Sequence, residues 1–126
     1  MELERFEELV RRALDTLPDG LARRIDNVDV EVQDWATAEL LAATGVRPGG
    51  TLLGLYQGVP LTKRTSGYNF VPPDRIIIFR GPIERLARDE DDLVRRVREV
   101  VVHEVAHHFG ISDERLAEIE RERRAC

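Results

Sequence analysis

One predicted helix, over residues 89 to 110, carries a continuous apolar stripe together with all three histidines of the chain. The helix starts in the acidic cluster 89–92, since the positive end of a helix dipole favours negative charge. The stripe recurs at helical spacing up to Gly110, through Leu93, Val97, Val100, Val101, Val105 and Phe109. This pattern predicts a long helix near the C-terminus that contributes one face to a core.

Shorter elements are predicted before this helix. The continuous apolar run 75–80 is typical of a central strand that is covered on both faces. Gly54, inside the strand predicted over 52–57, marks a bulge or a close backbone approach. The other predicted elements are helices over 2–17 and 35–44, a half-buried strand over 28–33, a short helical turn opened by Gly81-Pro82, and a last helix capped by Ser112 or Asp113. The fold class is therefore α+β, a small mixed sheet packed against helices, with Trp35 and isoleucines 76–78 expected in the core.

The composition indicates a single domain, residues 1–126, because a chain of 126 residues supports one hydrophobic core. No run reaches the roughly 18 apolar residues of a membrane span, and the acidic, amphipathic start lacks the pattern of a secretory signal. Cys126 is the only cysteine, so no disulfide framework is expected and a cytoplasmic location is predicted. The net charge of −5 argues against a nucleic-acid partner. The oligomeric state stays open, since the N-terminal helix could pack on its own core or on a neighbour.

His103 and His107 lie four residues apart on the predicted helix, so their imidazoles rise from one face and reach the same ion. Glu104 lies beside that face, where it can contact a water next to the ion without taking a coordination position. This is the H-E-x-x-H motif, in which the histidines bind zinc and the glutamate is a general base. The alternative is a chance string of polar residues on an amphipathic helix.

A third zinc ligand is expected after these histidines, because catalytic zinc takes three protein ligands and leaves one position open. Gly110 can adopt positive φ, end the helix and turn the chain back toward the ion. The carboxylate of Asp113 is then the predicted third ligand, although helix capping and the helix dipole alone also favour an acid there. The alternative ligands are Glu114, Glu118 and Glu120.

Three segments carry a resemblance to a known family. The string His103-Glu-Val-Ala-His-His-Phe-Gly-Ile-Ser-Asp113 resembles the extended zinc motif of metzincin peptidases, with aspartate as the last ligand. Together with Leu53-Gly-Leu-Tyr-Gln-Gly-Val-Pro-Leu-Thr-Lys-Arg and Pro73-Asp-Arg-Ile-Ile-Ile-Phe-Arg-Gly-Pro, it resembles the bacterial family of minimal zincin-like metallopeptidases. The resemblance implies a compact zincin-like fold, a zinc cofactor and cleavage of a peptide or protein substrate. Met1 is the only methionine, so the methionine turn of metzincins has no counterpart, and a deep substrate groove is not expected.

Roles are also predicted for residues outside the motif. Zincins align an extended substrate along an edge strand, and the predicted edge is formed by Leu53, Gly54, Leu55 and Tyr56. Tyr68 is the predicted hydrogen-bond donor to the tetrahedral oxygen, with Lys63 and Arg64 as alternatives. His108 is expected at the surface or beside the site. Glu99 is expected to pair with Arg95 or Arg96 rather than to orient His103.

Two classes of function remain after these steps. The first is peptide-bond hydrolysis by a zinc-activated water, with Glu104 as general base. The second is a zinc-binding regulatory or interaction module with little or no turnover. The sequence favours the first, because a purely structural zinc site has four protein ligands and this one offers three.

Overall fold

The computed structural model describes residues 1–46, 50–58 and 73–124, the last three by their backbone alone. The elements follow in the order α1 (Leu3–Asp15), α2 (Asp19–Ala22), a 3-10 turn (Arg23–Ile25), β1 (Asp29–Gln33), α3 (Ala38–Ala43), β2 (Gly54–Gln57), β3 (Arg75–Phe79), α4 (Arg80–Leu86), α5 (Glu90–His108) and α6 (Asp113–Arg124). The predicted α+β class is confirmed. The α2 helix and the 3-10 turn, which the sequence pattern did not predict, connect α1 to β1.

The three described strands form one mixed sheet in the order β1-β3-β2. β1 pairs with β3 in parallel, with Val30 opposite Ile76, while β2 pairs with β3 antiparallel, with Tyr56 opposite Ile76. β3 is central because its side chains are apolar on both faces, and residues 76–79 are at most 1% exposed. The predicted central strand is thus confirmed, and β2 lies at an edge of the described sheet.

The core forms where α1 and α5 pack together over the sheet. Helix α1 is amphipathic, and its apolar side chains Phe6, Leu9, Val10 and Ala13 are all buried. They join the buried face of α5 in one cluster with Ile76 and Ile78 of the central strand. The N-terminal helix therefore packs on the core of its own chain.

The start of α5 is held by its acidic cluster. Asp89 is the N-cap, and its side chain accepts the backbone N–H of Asp92 at 2.7 Å. Asp92 is buried, and its carboxylate accepts the backbone N–H of Arg88 as well as hydrogen bonds from Arg95 and Arg96. These bonds, the Arg88 N–H foremost, hold the pKa of Asp92 well below its usual range. The predicted helix start is confirmed and fixes where the histidines on α5 lie.

Trp35 is an exception to the predicted core. Its side chain is 48% exposed, because the indole lies on the surface over Gly81, where a Cβ would collide with the ring. The guanidinium of Arg85 lies 5.0 Å from the centre of the ring. The helix predicted over 35–44 is correspondingly shorter and begins after Thr37, whose side chain accepts the N–H of Leu40. Among the described helices, none has the length and apolar character to cross a membrane.

Candidate metal centre

The two motif histidines lie on one exposed face of α5. His103 and His107 are four residues apart in the C-terminal half of the helix, and both are exposed. Neither imidazole is hydrogen-bonded or ion-paired with another described residue. The shared face agrees with the spacing in the sequence, and metal binding by the two imidazoles stays a prediction.

Glu104 is directed differently from its neighbour His103. The glutamate is half-buried, and its Oε1 accepts the backbone N–H of Tyr56 at 3.0 Å. This hydrogen bond joins α5 to the edge strand β2 and keeps the carboxylate beside the histidine face. The sequence pattern placed Glu104 next to that face but did not predict its backbone partner.

A close approach of β2 to α5 makes this hydrogen bond geometrically possible. Gly54 is buried at the start of β2, and a Cβ added there would collide with Cγ1 of Val100 on α5. The same Cβ would lie 3.1 Å from the carbonyl oxygen of Ile77. Of the two predicted explanations for Gly54, the close approach is confirmed, and the neighbour is a side chain of the candidate site helix.

An aromatic cluster fixes the far end of β2 against the end of α5. The Tyr56 ring stacks on the His108 ring, with centres 3.8 Å apart and planes inclined by 18°. The Tyr56 hydroxyl donates to Oδ2 of Asp74 at 2.8 Å, and Nε2 of His108 lies 4.0 Å from the same oxygen. Phe109 packs edge-on against both rings. His108 thus lies beside the site, as expected. The sequence pattern did not predict a role for Asp74, and its position just before β3 is the one sequence feature that could have indicated it.

The chain turns sharply directly after the second histidine. Gly110 has a φ of +64°, which L side chains adopt only with strain. The N–H of Gly110 bonds to the carbonyl of His107 at 3.3 Å, and the N–H of Ile111 bonds to that of Ala106 at 2.8 Å. This is a Schellman ending, so the predicted role of Gly110 as the helix terminator is confirmed.

Asp113 is the first residue of α6 and is exposed. The capping role belongs to its neighbour Ser112, whose Oγ accepts the N–H of Arg115 at 3.1 Å. In the part of the chain that is described, no three side chains of His, Cys, Asp or Glu converge closely enough to hold one ion. The structure therefore places two histidines together and leaves Asp113 as a predicted third ligand.

The alternative acidic ligands differ in how far they are already engaged. Glu120 accepts a hydrogen bond from Arg98 at 2.8 Å, and Glu118 accepts one from Arg115 at 3.0 Å. Glu114 is exposed and has no described partner. Glu118 and Glu120 would have to leave an arginine before binding an ion, whereas Asp113 and Glu114 have no arginine partner among the described residues.

Comparison with known proteins decides the family. Residues 25–123 match the profile of a family described as zincin-like metallopeptidase. This chain belongs to that family. The solved structure of a conserved hypothetical protein from Thermo thermophilus is similar, with a TM-score of 0.55 and 25% identity over 86% of this chain and 94% of that one. No curated protein matches the chain at a significant level.

Zincin-like metallopeptidases depend on zinc in general, and the donors of this chain suit that metal. Zinc is bound in proteins by imidazole nitrogens together with carboxylate oxygens. The zincin-like chain offers two imidazoles one helical turn apart and a carboxylate at Asp113 after the helix end, and none of the three has a hydrogen-bonding or ionic partner among the described residues. The chemistry of this donor set fits zinc.

A groove of about 460 Å³ lies between β2 and α5, next to the zincin histidine face. It is lined on one side by residues 51–54 and on the other by Arg96, Glu99, Val100, His103 and Glu104. Glu99 accepts a hydrogen bond from Arg95 at 2.8 Å, so the expected ion pair is confirmed. Tyr68, Lys63 and Arg64, the predicted oxyanion donors, lie outside the described residues.

Proposed function

We propose that the protein is a zinc-dependent peptidase in which Glu104 is the general base. The observation that supports this best is the position of Glu104 beside the histidine face, where the edge strand holds it through Tyr56 N–H. In the peptide-free protein, a carboxylate held there would lie near the ion without being one of its ligands. That arrangement suits a group that moves protons next to the metal.

The proposed zinc ligands are His103, His107 and Asp113. The histidines share one exposed face, and the Schellman ending at Gly110 reverses the chain directly after them. Asp113 then begins the next helix with a carboxylate that is not used for capping, since Ser112 has that role. Three protein ligands leave one position open, which is the composition of a catalytic site rather than a structural one.

The proposed reaction divides between the metal and the protein. When bound, zinc would supply the Lewis acidity that polarises a peptide carbonyl and lowers the pKa of a nearby water toward neutrality. Glu104 accepts the proton of the attacking water and then donates it to the leaving amine. Tyr68 is the proposed hydrogen-bond donor to the tetrahedral oxygen, on the basis of its place in the sequence alone.

The proposed substrate is an extended peptide or protein segment that lies along β2. Strand addition requires an edge with backbone groups facing outward, and β2 is an edge of the described sheet. Residues Leu53, Gly54, Leu55 and Tyr56 would then contact the substrate backbone. The groove beside Val100 offers room for one side chain next to the histidine face. The net charge of −5 favours a peptide over a nucleic acid.

A set of variants tests this function. Zinc content is measured in the purified protein, and cleavage is measured with a broad peptide library and product mass analysis. Glu104→Gln is expected to keep stoichiometric zinc and lose cleavage, whereas His103→Ala is expected to lose both. Asp91→Asn removes an exposed carboxylate from the same helix, and as the matched control it is expected to retain both.

The rival function, a zinc-binding regulatory or interaction module, gives a different result in the same assay. Stoichiometric zinc without cleavage of any library member would favour that module. A wild-type protein that takes up no zinc would exclude both functions.

A further inference from the structure

The ladder between β2 and β3 determines which backbone groups of β2 face outward. The N–H of Phe79 bonds to the carbonyl of Leu53 at 3.0 Å, and Gly54 and Tyr56 lie opposite Ile78 and Ile76. In an antiparallel pair, residues with both backbone groups directed at the partner alternate with residues whose groups point away. Leu53 is of the first kind, so Gly54 and Tyr56 are of the second. Their N–H groups are the donors that an added strand would use.

One of these two donors is occupied by the candidate base. Oε1 of Glu104 accepts Tyr56 N–H at 3.0 Å, although the two residues are 48 positions apart in sequence. A hydrogen bond to a carboxylate is stronger than one between neutral groups. Because it accepts the outward N–H of Tyr56, the carboxylate occupies the position that the carbonyl oxygen of an added strand would need.

Tyr56 itself has little freedom to move away from this contact. Its ring stacks on His108 and its hydroxyl donates to Asp74, while its strand is paired with β3. Glu104, in contrast, is attached to α5 by a flexible side chain with three rotatable bonds. If a peptide carbonyl and the carboxylate compete for the same N–H, Glu104 is the partner that can leave.

We propose that Glu104 caps the outer edge of β2 in the peptide-free protein and that a backbone carbonyl of an extended peptide displaces it. The proposal rests on the proposed function for the nature of the ligand, an extended peptide. Displacement turns the carboxylate away from Tyr56 and toward the histidine face, because that face adjoins it on the same helix. Glu104 is thus released only when an extended peptide has bound along β2, so peptide binding and the freeing of the general base are coupled.

Peptide affinity provides the first test. The probe is acetyl-Lys-Leu-Ala-Leu-Lys-amide, with leucines for the groove and lysines for solubility, added to the full chain after zinc removal so that hydrolysis does not consume it. Removing the competitor in Glu104→Ala is expected to tighten binding about tenfold, equivalent to about 1.4 kcal/mol. Glu104→Gln keeps a weaker, neutral acceptor and is expected to lie between wild type and Glu104→Ala. Asp91→Asn is expected to bind like wild type.

Amide spectroscopy provides the second test, which does not depend on activity. In wild type without peptide, the Tyr56 amide proton is expected to exchange slowly with solvent, and in Glu104→Ala it is expected to exchange faster. On saturation with the probe, the Tyr56 amide stays protected while the side-chain carboxyl carbon signal of Glu104 shifts. The same peptide with proline in place of alanine lacks a central N–H and is expected to bind at least tenfold more weakly.

The outcomes separate this proposal from the proposed function. The displacement is overturned if Glu104→Ala binds the probe no more tightly than wild type does, or does not bind it at all. It is also overturned if the Glu104 carboxyl carbon signal does not shift when the peptide binds. Displacement without cleavage by the zinc-loaded wild type leaves the coupling intact and removes the peptidase. Cleavage with no change at Glu104 on peptide binding leaves the peptidase intact and removes the coupling.

Discussion

Ser112 Oγ accepts the backbone N–H of Arg115 at 3.1 Å, which makes Ser112 the residue that caps α6. Asp113, the next residue, is exposed and has no hydrogen-bonding or ionic partner among the described residues. An acid at this position had three explanations: capping, the helix dipole and metal binding. The geometry assigns capping to the serine, which leaves the dipole of α6 and the proposed zinc binding as explanations for the carboxylate of Asp113.

The first prediction tests the roles of Asp113 and Ser112 separately, with one variant for each residue. Asp113→Asn is expected to weaken zinc binding more than about a hundredfold, since even groups that only orient a ligand contribute 10- to 100-fold. Ser112→Ala is expected to leave zinc binding intact and to lower the free energy of unfolding by about 1 kcal/mol. Competition with a chromogenic chelator and urea denaturation measure the two quantities. Normal zinc affinity in Asp113→Asn would transfer the third ligand to Glu114.

The second prediction concerns the contact between Gly54 and Val100. Gly54→Ala is expected to lower the free energy of unfolding by about 1–3 kcal/mol, because its Cβ collides with Val100 and crowds the Ile77 carbonyl. Val100→Ala in the same background is expected to recover part of that loss by removing the methyl group in the way. Urea denaturation of the single and double variants measures the coupling. If the two losses simply add, the close approach is not the cause.

The third prediction is the pH dependence of stability from Asp92. Hydrogen bonds from Arg88 N–H and from Arg95 and Arg96 lower the pKa of Asp92 from its ordinary 3.8. The stabilisation is therefore complete above that ordinary value and is lost as the pH falls toward the lower pKa of the folded state. Asp92→Asn is expected to be less stable than wild type near neutral pH, with the difference shrinking below about pH 4. Urea midpoints measured across this range, with Asp91→Asn as an exposed control, test the sign.

The fourth prediction concerns metal removal. Zinc at about a hundred times its dissociation constant is expected to raise the free energy of unfolding by about 2.7 kcal/mol over that of the chelator-treated protein. His107→Ala, which lacks one proposed ligand, is expected to show no such increase. Thermal melts with and without added zinc provide the comparison. Equal stabilisation of both proteins would place the metal elsewhere.

The fifth prediction separates the ring of Tyr56 from its hydroxyl. Tyr56→Phe keeps the stacking on His108 and the N–H bond to Glu104 but loses the hydrogen bond to Asp74. A loss of about 1 kcal/mol in the free energy of unfolding is expected. The double variant with Asp74→Ala is expected to lose little more than Asp74→Ala alone. A fully additive loss would show that the two groups act independently.

Much of the candidate site was readable from the sequence because it depends on local geometry. The spacing of His103 and His107 determines that they share a face of any α-helix. Gly110 ends that helix with a φ of +64°, as expected for a residue without a Cβ after the last apolar position. The apolar run of β3 likewise specified a central strand, because only a strand covered on both faces buries such a run.

What the sequence could not specify are contacts between residues far apart in the chain. The bond from Tyr56 N–H to Glu104 depends on how closely β2 approaches α5, which Gly54 permits but does not by itself dictate. The surface position of Trp35 follows from the backbone of Gly81 beneath its ring, 46 residues later in the sequence. The sequence by itself determined the histidine pair, its glutamate and the end of their helix. The tertiary structure alone decided that the glutamate rests on an edge strand, because packing between elements has no periodicity that a sequence displays.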